Sequence, residues 1–128
     1  MKKRILIVDD ENYIRLLLRR TLEEFEFEGV TLDVAEDGLQ GLEAARANRP
    51  DLIFLDLMMP HLDGLELCQI LRADEHLKDV HIIILTAKGQ LPDFPADARP
   101  NQCLTKPFDP DQIVELAQDI LGIQIDYD

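Results

Sequence analysis

Ile5-Leu6-Ile7-Val8, followed directly by Asp9-Asp10, is the stretch from which the fold can be read. The same arrangement recurs along the chain. Leu52-Ile53-Phe54-Leu55 runs into Asp56, Ile82-Ile83-Ile84-Leu85 into Thr86, and the shorter Cys103-Leu104-Thr105 into Lys106. A strand with one face in water alternates apolar and polar residues. A continuous apolar run bounded by charge is instead buried on both faces, as in a parallel sheet covered by helices. Parallel strands point the same way, so the residues that end these runs are expected along one edge of the sheet. Asp9, Asp10, Asp56, Thr86 and Lys106 are thereby predicted to meet.

Between these runs the apolar period changes to that of helices. Ile14, Leu17, Leu18, Leu22 and Phe25 fall on one helical face, and Gly29 follows as a C-cap residue. Val30 to Ala35 reads as a second strand. A helix opening near Asp37-Gly38 is expected to turn Leu39, Leu42 and Ala45 inward, and Asn48-Arg49-Pro50 stops it. The third strand is Asp51 to Asp56; a turn-rich loop from Met58 to Gly64 then leads into a helix with Leu65, Cys68 and Leu71 facing in. Val80 to Thr86 is the fourth strand. Asp109-Pro110 is a good N-cap and N1 pair for a last helix carrying Ile113, Leu116, Ala117, Ile120 and Leu121 on one face, with Gly122 beyond it. Strands alternating with helices through short connections predict an α/β fold, a doubly wound five-stranded parallel sheet. Ligands bind such sheets beyond the carboxyl ends of the strands.

The 128 residues suit one domain, residues 1–128, with 46% hydrophobic and 30% charged side chains and no repeat or linker. A net charge of -13 argues against direct binding to a nucleic acid backbone or an anionic membrane. No apolar stretch approaches the ~20 residues of a membrane span, and the amino terminus lacks the apolar run of a signal peptide. With two cysteines, Cys68 and Cys103, both in apolar segments, a reduced cytoplasmic protein is expected. His61, His76 and His81 lack metal-ligand spacing and read as surface or loop residues, while Met58-Met59 read as gap fillers.

Three carboxylates at one edge would repel unless a cation neutralised them. A hard divalent ion such as Mg²⁺ takes carboxylate, backbone and water oxygens and would also screen an incoming phosphoryl donor. Lys106 adds a compact ammonium and Thr86 a hydroxyl, so the set suits a carboxylate nucleophile that accepts a phosphoryl group. Taken singly, each residue has a plainer reading: Asp10 as a helix N-cap, Asp56 as the start of a turn, Thr86 as a strand end, Lys106 as a surface charge.

Asp9-Asp10, Asp56-Leu57-Met58-Met59-Pro60 with Asp63-Gly64, Leu85-Thr86-Ala87 and Lys106-Pro107-Phe108 together resemble the receiver domain of two-component response regulators, over essentially the whole chain. The resemblance implies the flavodoxin-like strand order 2-1-3-4-5. It implies that Asp56 accepts a phosphoryl group from a histidine kinase, a phosphotransfer protein or a small acyl phosphate. Asp9, Asp10, Asp56 and the backbone carbonyl of Met58 would hold Mg²⁺; Thr86 and Lys106 would contact the phosphoryl oxygens. A cis Lys106-Pro107 bond, a downstream protein partner and a phosphorylation-linked homodimer are further implications, as is a signalling rather than a metabolic role. Met58 and Lys88 are expected to control water access to the phosphoryl group.

Two features depart from that pattern. Pro92, Pro95 and Pro100 cannot all sit in one regular helix, so the helix between the fourth and fifth strands is predicted short, irregular or absent. Cys103 stands where the family usually has an aromatic residue, and a thiol cannot swing as a tyrosine ring does. Output would then use another face, or Leu91, Phe94 and Pro95 would form a docking loop. A phosphatase of the haloacid dehalogenase type is a rival reading, but it wants an acid two residues after the nucleophile, where Met58 stands. A pseudo-receiver that binds a partner without phosphorylation is the other. The chain reads either as a stand-alone receiver or as a receiver excised from a longer protein, the amino terminus and the lack of a linker favouring the first.

Overall fold

The computed structural model describes residues 2–126; Met1, Tyr127 and Asp128 lie outside the described residues. Five strands, β1 (Arg4–Val8), β2 (Thr31–Ala35), β3 (Leu52–Asp56), β4 (His81–Ala87) and β5 (Gln102–Lys106), form one sheet in the order β2-β1-β3-β4-β5. Every pairing is parallel. The helices are α1 (Asn12–Thr21), α2 (Glu23–Phe27), α3 (Gly38–Ala47), α4 (Gly64–Ala73) and α5 (Pro110–Leu121).

The apolar runs divide their side chains between two cores by strand alternation. Ile5, Ile7, Leu52, Phe54, Ile83 and Leu85 face one layer with Ile14, Leu18, Phe25, Ile113 and Ala117 from α1, α2 and α5. Leu6, Val8, Ile53, Leu55, Ile82 and Ile84 face the other with Ala45, Leu67, Cys68 and Leu71 from α3 and α4. Continuous apolar runs are therefore what a doubly covered sheet requires. The sheet order matches the expectation, and so does the connection between β4 and β5, whose only helical element is a 3₁₀ turn at Ala96–Ala98.

Several local expectations need correction. The helix after β1 tightens at Leu22, where Phe25 N bonds to Leu22 O at 3.0 Å, and continues as α2. Leu22 and Phe25, three residues apart and so on one face, are both fully buried across that turn, as their spacing predicts. Leu39 points outward, 55% exposed, because α3 packs on the sheet through Gly38, Gly41 and Ala45. A Cβ at Gly41 would stand 2.9 Å from both Val8 methyls, so this face admits no larger residue and Leu39 lies to one side of it. Met58 fills no core gap: it is 61% exposed, while Met59 packs against the α3–α4 core. His81 is a strand residue rather than a loop residue, and its Nε2 is enclosed without a hydrogen-bond partner among the described residues. Cys68 and Cys103 are both free thiols, the first buried and the second exposed.

Candidate functional site

The end of β1 is fixed from several sides. Asp9 N donates to Ala35 O of β2 at 3.2 Å, and Asp9 Oδ1 accepts from Glu11 N at 2.9 Å. Arg15, one turn into α1, donates Nη1 to the Asp9 carbonyl at 2.8 Å. The carboxylate that satisfies a helix-entry amide is thus that of Asp9. Glu11 holds the N-cap position without a side-chain capping bond, so Asp10 is not the cap. Its carboxylate is left available at the sheet edge.

Asp56 ends β3, and the chain turns sharply behind it. Leu57 N bonds to Leu85 O at 3.0 Å, and Gly64 N bonds to Leu57 O at 2.8 Å. A Cβ on Gly64 would lie 2.5 Å from the Asp56 carbonyl and 2.8 Å from Leu57 Cα, so only glycine lets the start of α4 come this close. Asp63 and Glu66 form a reciprocal capping box that starts α4 at that point.

Lys106, at the end of β5, reaches across to the other strand ends. Its Nζ donates to Asp9 Oδ2 at 3.0 Å, Glu11 Oε1 at 3.1 Å and Asp56 Oδ1 at 3.2 Å. Asp9 is inaccessible to solvent and Asp56 nearly so. Burial raises the pKa of Asp9 despite its bonds to Glu11 N and Lys106. Burial, followed by the negative charge of Asp9, pushes Asp56 up to about 7 against the opposing pull of Lys106. Burial opposes the charge of Lys106, but Asp9, Asp56 and Glu11 outweigh it and hold the ammonium pKa above its ordinary value.

Carboxylate oxygens of Asp9, Asp10, Glu11 and Asp56 lie within 4.8 Å of one another. One ammonium cannot balance four carboxylates, and all the donors are hard oxygens, so the donor set fits a hard divalent cation. Of the residues predicted from sequence, Asp9, Asp10, Asp56 and Lys106 are brought together. Thr86 is buried at the same edge, with its hydroxyl donating to Ala87 O at 3.3 Å rather than to the carboxylates. The Met58 side chain is turned to solvent, and Lys88 is exposed just beyond β4. Lys106-Pro107 is cis. Cys103 is exposed on β5, opposite Ile84 of β4.

Glu11 and Arg15 were not identifiable from the strand ends. Glu11 follows the aspartate pair in sequence and was open to notice as a third consecutive acid. Arg15 carried a weaker signal, a cation one turn into the helix that follows Asp9.

Comparison with known proteins agrees with this geometry. The family model described as Response regulator receiver domain matches residues 5–118. The chain is 44% identical over 110 residues to the response regulator MprA of Mycobacterium ulcerans (strain Agy99), covering 84% of this chain and 45% of the relative. The chain therefore spans less than half the length of the curated relatives it matches. Among solved structures it resembles the receiver domain of the sensor histidine kinase PA1611 from Pseudomonas aeruginosa PAO1, which has a magnesium ion coordinated in its active-site cleft. The TM-score is 0.81 at 29% identity, covering 95% of this chain and 99% of that one. The receiver domain of AraT, a response regulator from Geobacillus stearothermophilus, matches with a TM-score of 0.79 at 33% identity over 95% of each chain. With a family match across most of its length, a sheet in the receiver order and an acidic cluster at the strand ends, this chain belongs to the response regulator receiver domain family.

Proposed function

We propose that Asp56 is the phosphoacceptor of a two-component signalling system. The observation that carries this reading is its nearly buried carboxylate at the carboxyl end of β3, 3.2 Å from Lys106 Nζ and among the acids of the β1–α1 turn. An Asp56 carboxylate oxygen attacks the phosphorus of a phosphohistidine or an acyl phosphate. The new O–P bond forms as the donor's N–P or O–P bond breaks, and imidazole or carboxylate leaves. Lys106 keeps its proton throughout and donates to a phosphoryl oxygen once Asp56 has become an acyl ester and a poor acceptor. The Thr86 hydroxyl turns from the Ala87 carbonyl to a second phosphoryl oxygen. Asp9 and Asp10, with Asp56 and the backbone carbonyl of Met58, are the proposed ligands of Mg²⁺, which when bound offsets carboxylate and phosphoryl charge. Hydrolysis of the acyl phosphate returns the carboxylate, with Met58 and Lys88 governing water access.

The donor proposed is a histidine kinase or phosphotransfer protein, and the output is altered contact with a downstream protein, with phosphorylation-linked homodimerisation as one form of it. The chain is read as one receiver unit over residues 1–128 acting in the cytoplasm. Two free thiols and a helix set in which no described helix is long and apolar enough to cross a membrane are compatible with that location. The role is signalling rather than turnover of a metabolite. A dehalogenase-type phosphatase would need an acid at residue 58, where this chain has a solvent-exposed methionine.

Intact-mass spectrometry after incubation with acetyl phosphate and Mg²⁺ tests the proposal. One added phosphoryl mass is expected for the wild type, none without metal and none for Asp56→Ala. An adduct that persists in Asp56→Ala would move the acceptor elsewhere.

A further inference from the structure

Lys106 Nζ has three N–H donors, and three carboxylates take them. Two of the acceptors are enclosed, with the Asp9 side chain 0% and the Asp56 side chain 7% accessible; the third, Glu11, is 58% accessible. The Glu11 bond at 3.1 Å is as short as the others, although its carboxylate stands at the rim and bonds to nothing else among the described residues. Phosphorylation releases the Asp56 bond, but if Lys106 is to meet an incoming phosphoryl donor while Asp56 is still a carboxylate, one of the other two bonds must open. Asp9 is unsuited to letting go, because a buried carboxylate left without its ammonium is costly. The Glu11 pair is a rim ion pair and cheap to break.

We propose that Glu11 is a positioning residue that holds the Lys106 ammonium at the rim until a phosphoryl donor displaces it. This deepens the proposed reaction and rests on Asp56 being its acceptor. Glu11 also places a negative charge at the mouth, facing the dianionic donor. Releasing Lys106 and neutralising that charge act in the same direction, so Glu11 sets the donor concentration at which the site responds rather than the rate of the chemical step. The β1–α1 turn that carries it is fixed by Asp9, through Glu11 N to Asp9 Oδ1 at 2.9 Å, so the restraint comes from the side chain and not from a mobile loop.

The experiment follows adduct formation against acetyl phosphate concentration for the wild type, Glu11→Gln and Glu11→Asp. Aspartate keeps the charge but is one methylene shorter, which separates the contact with Lys106 from simple repulsion at the mouth. Both variants are expected to lower the half-saturating donor concentration by roughly two- to five-fold, the range open to a rim ion pair. Glu11→Asp behaving as the wild type would overturn the positioning role, as would no change in either variant. A loss of Mg²⁺ affinity of an order of magnitude or more in Glu11→Gln would also overturn it, because Glu11 would then be an ion ligand. The second readout needs no phosphoryl donor: the rate at which an amine-acylating reagent labels Lys106, followed by peptide mass spectrometry. Faster labelling in Glu11→Gln is expected, and an equal rate contradicts the restraint. Should the wild type form no adduct on Asp56, the receiver chemistry fails while the labelling rate still decides whether Glu11 holds Lys106.

Discussion

Two connections leave the carboxyl edge of the sheet from neighbouring strands and are secured in different ways. Between β3 and α4 the backbone is bonded every few residues. Leu57 N reaches Leu85 O, Leu62 N reaches Pro60 O, Gly64 N reaches Leu57 O, and the Asp63–Glu66 box starts the helix. Between β4 and β5 the chain from Lys88 to Asn101 has one turn bond near the site, Gln90 N to Ala87 O at 3.1 Å, and is otherwise held at its far end. There the Arg72 guanidinium of α4 donates to Arg99 O at 2.9 Å, Asn101 Oδ1 at 2.8 Å, Lys78 O at 2.8 Å and Val80 O at 2.7 Å. Asn101 in turn accepts from Ile82 N through its side chain and donates its own amide to Ile82 O. The first connection carries the proposed nucleophile and is fixed where the chemistry occurs. The second must only return the chain to β5 so that Lys106 arrives in register, and one arginine with one asparagine does this in place of a helix.

The largest effect expected concerns the charge that the first connection holds. Asp56 is raised from 3.8 to about 7, so between those values the folded form binds a proton that the unfolded form has released. Its contribution is fully present below about pH 4 and is lost as pH rises towards 7, by roughly 2–4 kcal/mol. Urea unfolding without divalent cation at pH 5 and pH 8 should show this loss in the wild type, and Asp56→Asn should reduce it, leaving the part that comes from the raised Asp9. Added Mg²⁺ should restore stability at pH 8 more than at pH 5.

Gly64→Ala should come next, costing about 2–3 kcal/mol through overpacking against the Asp56 carbonyl, with slower adduct formation as Asp56 is displaced. The matching change in the second connection, Gly89→Ala, meets no atom within 4 Å and is strained only by a φ of +81°. A cost of about 1–2 kcal/mol and an unchanged adduct rate are expected there. Equal effects of the two glycine variants on adduct formation would break the comparison. Arg72→Ala should cost about 2 kcal/mol and raise amide exchange in residues 96–101 while sparing β3, with Arg72→Lys recovering little because an ammonium cannot fork between four acceptors. The smallest effect belongs to Cys103→Ser, within about 0.5 kcal/mol by thermal unfolding, since the thiol is exposed on β5.

The sheet was legible because its code is short-range. Four residues of unbroken, largely β-branched apolar side chains bounded by charge read as a doubly covered strand, and parallel strands bring their last residues to one edge. That reading placed Asp9, Asp10, Asp56 and Thr86 together; Lys106 joined them on the shorter run Cys103-Leu104-Thr105, whose strand β5 is largely exposed, and the family resemblance supplied the strand order. The three prolines ruled out a regular helix before β5, but nothing local announced Arg72, whose four acceptors are mostly backbone carbonyls brought near by folding. Leu39 was misread for the same reason. Its helical spacing suits the core, but the close approach permitted by Gly38 and Gly41 is a tertiary property. Glu11 was legible as a third acid and not as a partner of Lys106, which lies 95 residues away.

The most direct test of the account is to trap the adduct chemically. Borohydride reduces an aspartyl phosphate to homoserine, and peptide mass spectrometry then locates it. After acetyl phosphate and Mg²⁺, homoserine is predicted at position 56, with Asp9 and Asp10 unreduced. Homoserine at position 9 or 10, or a phosphoryl adduct that yields none at position 56, would contradict the central claim that the end of β3 is where the phosphoryl group is received.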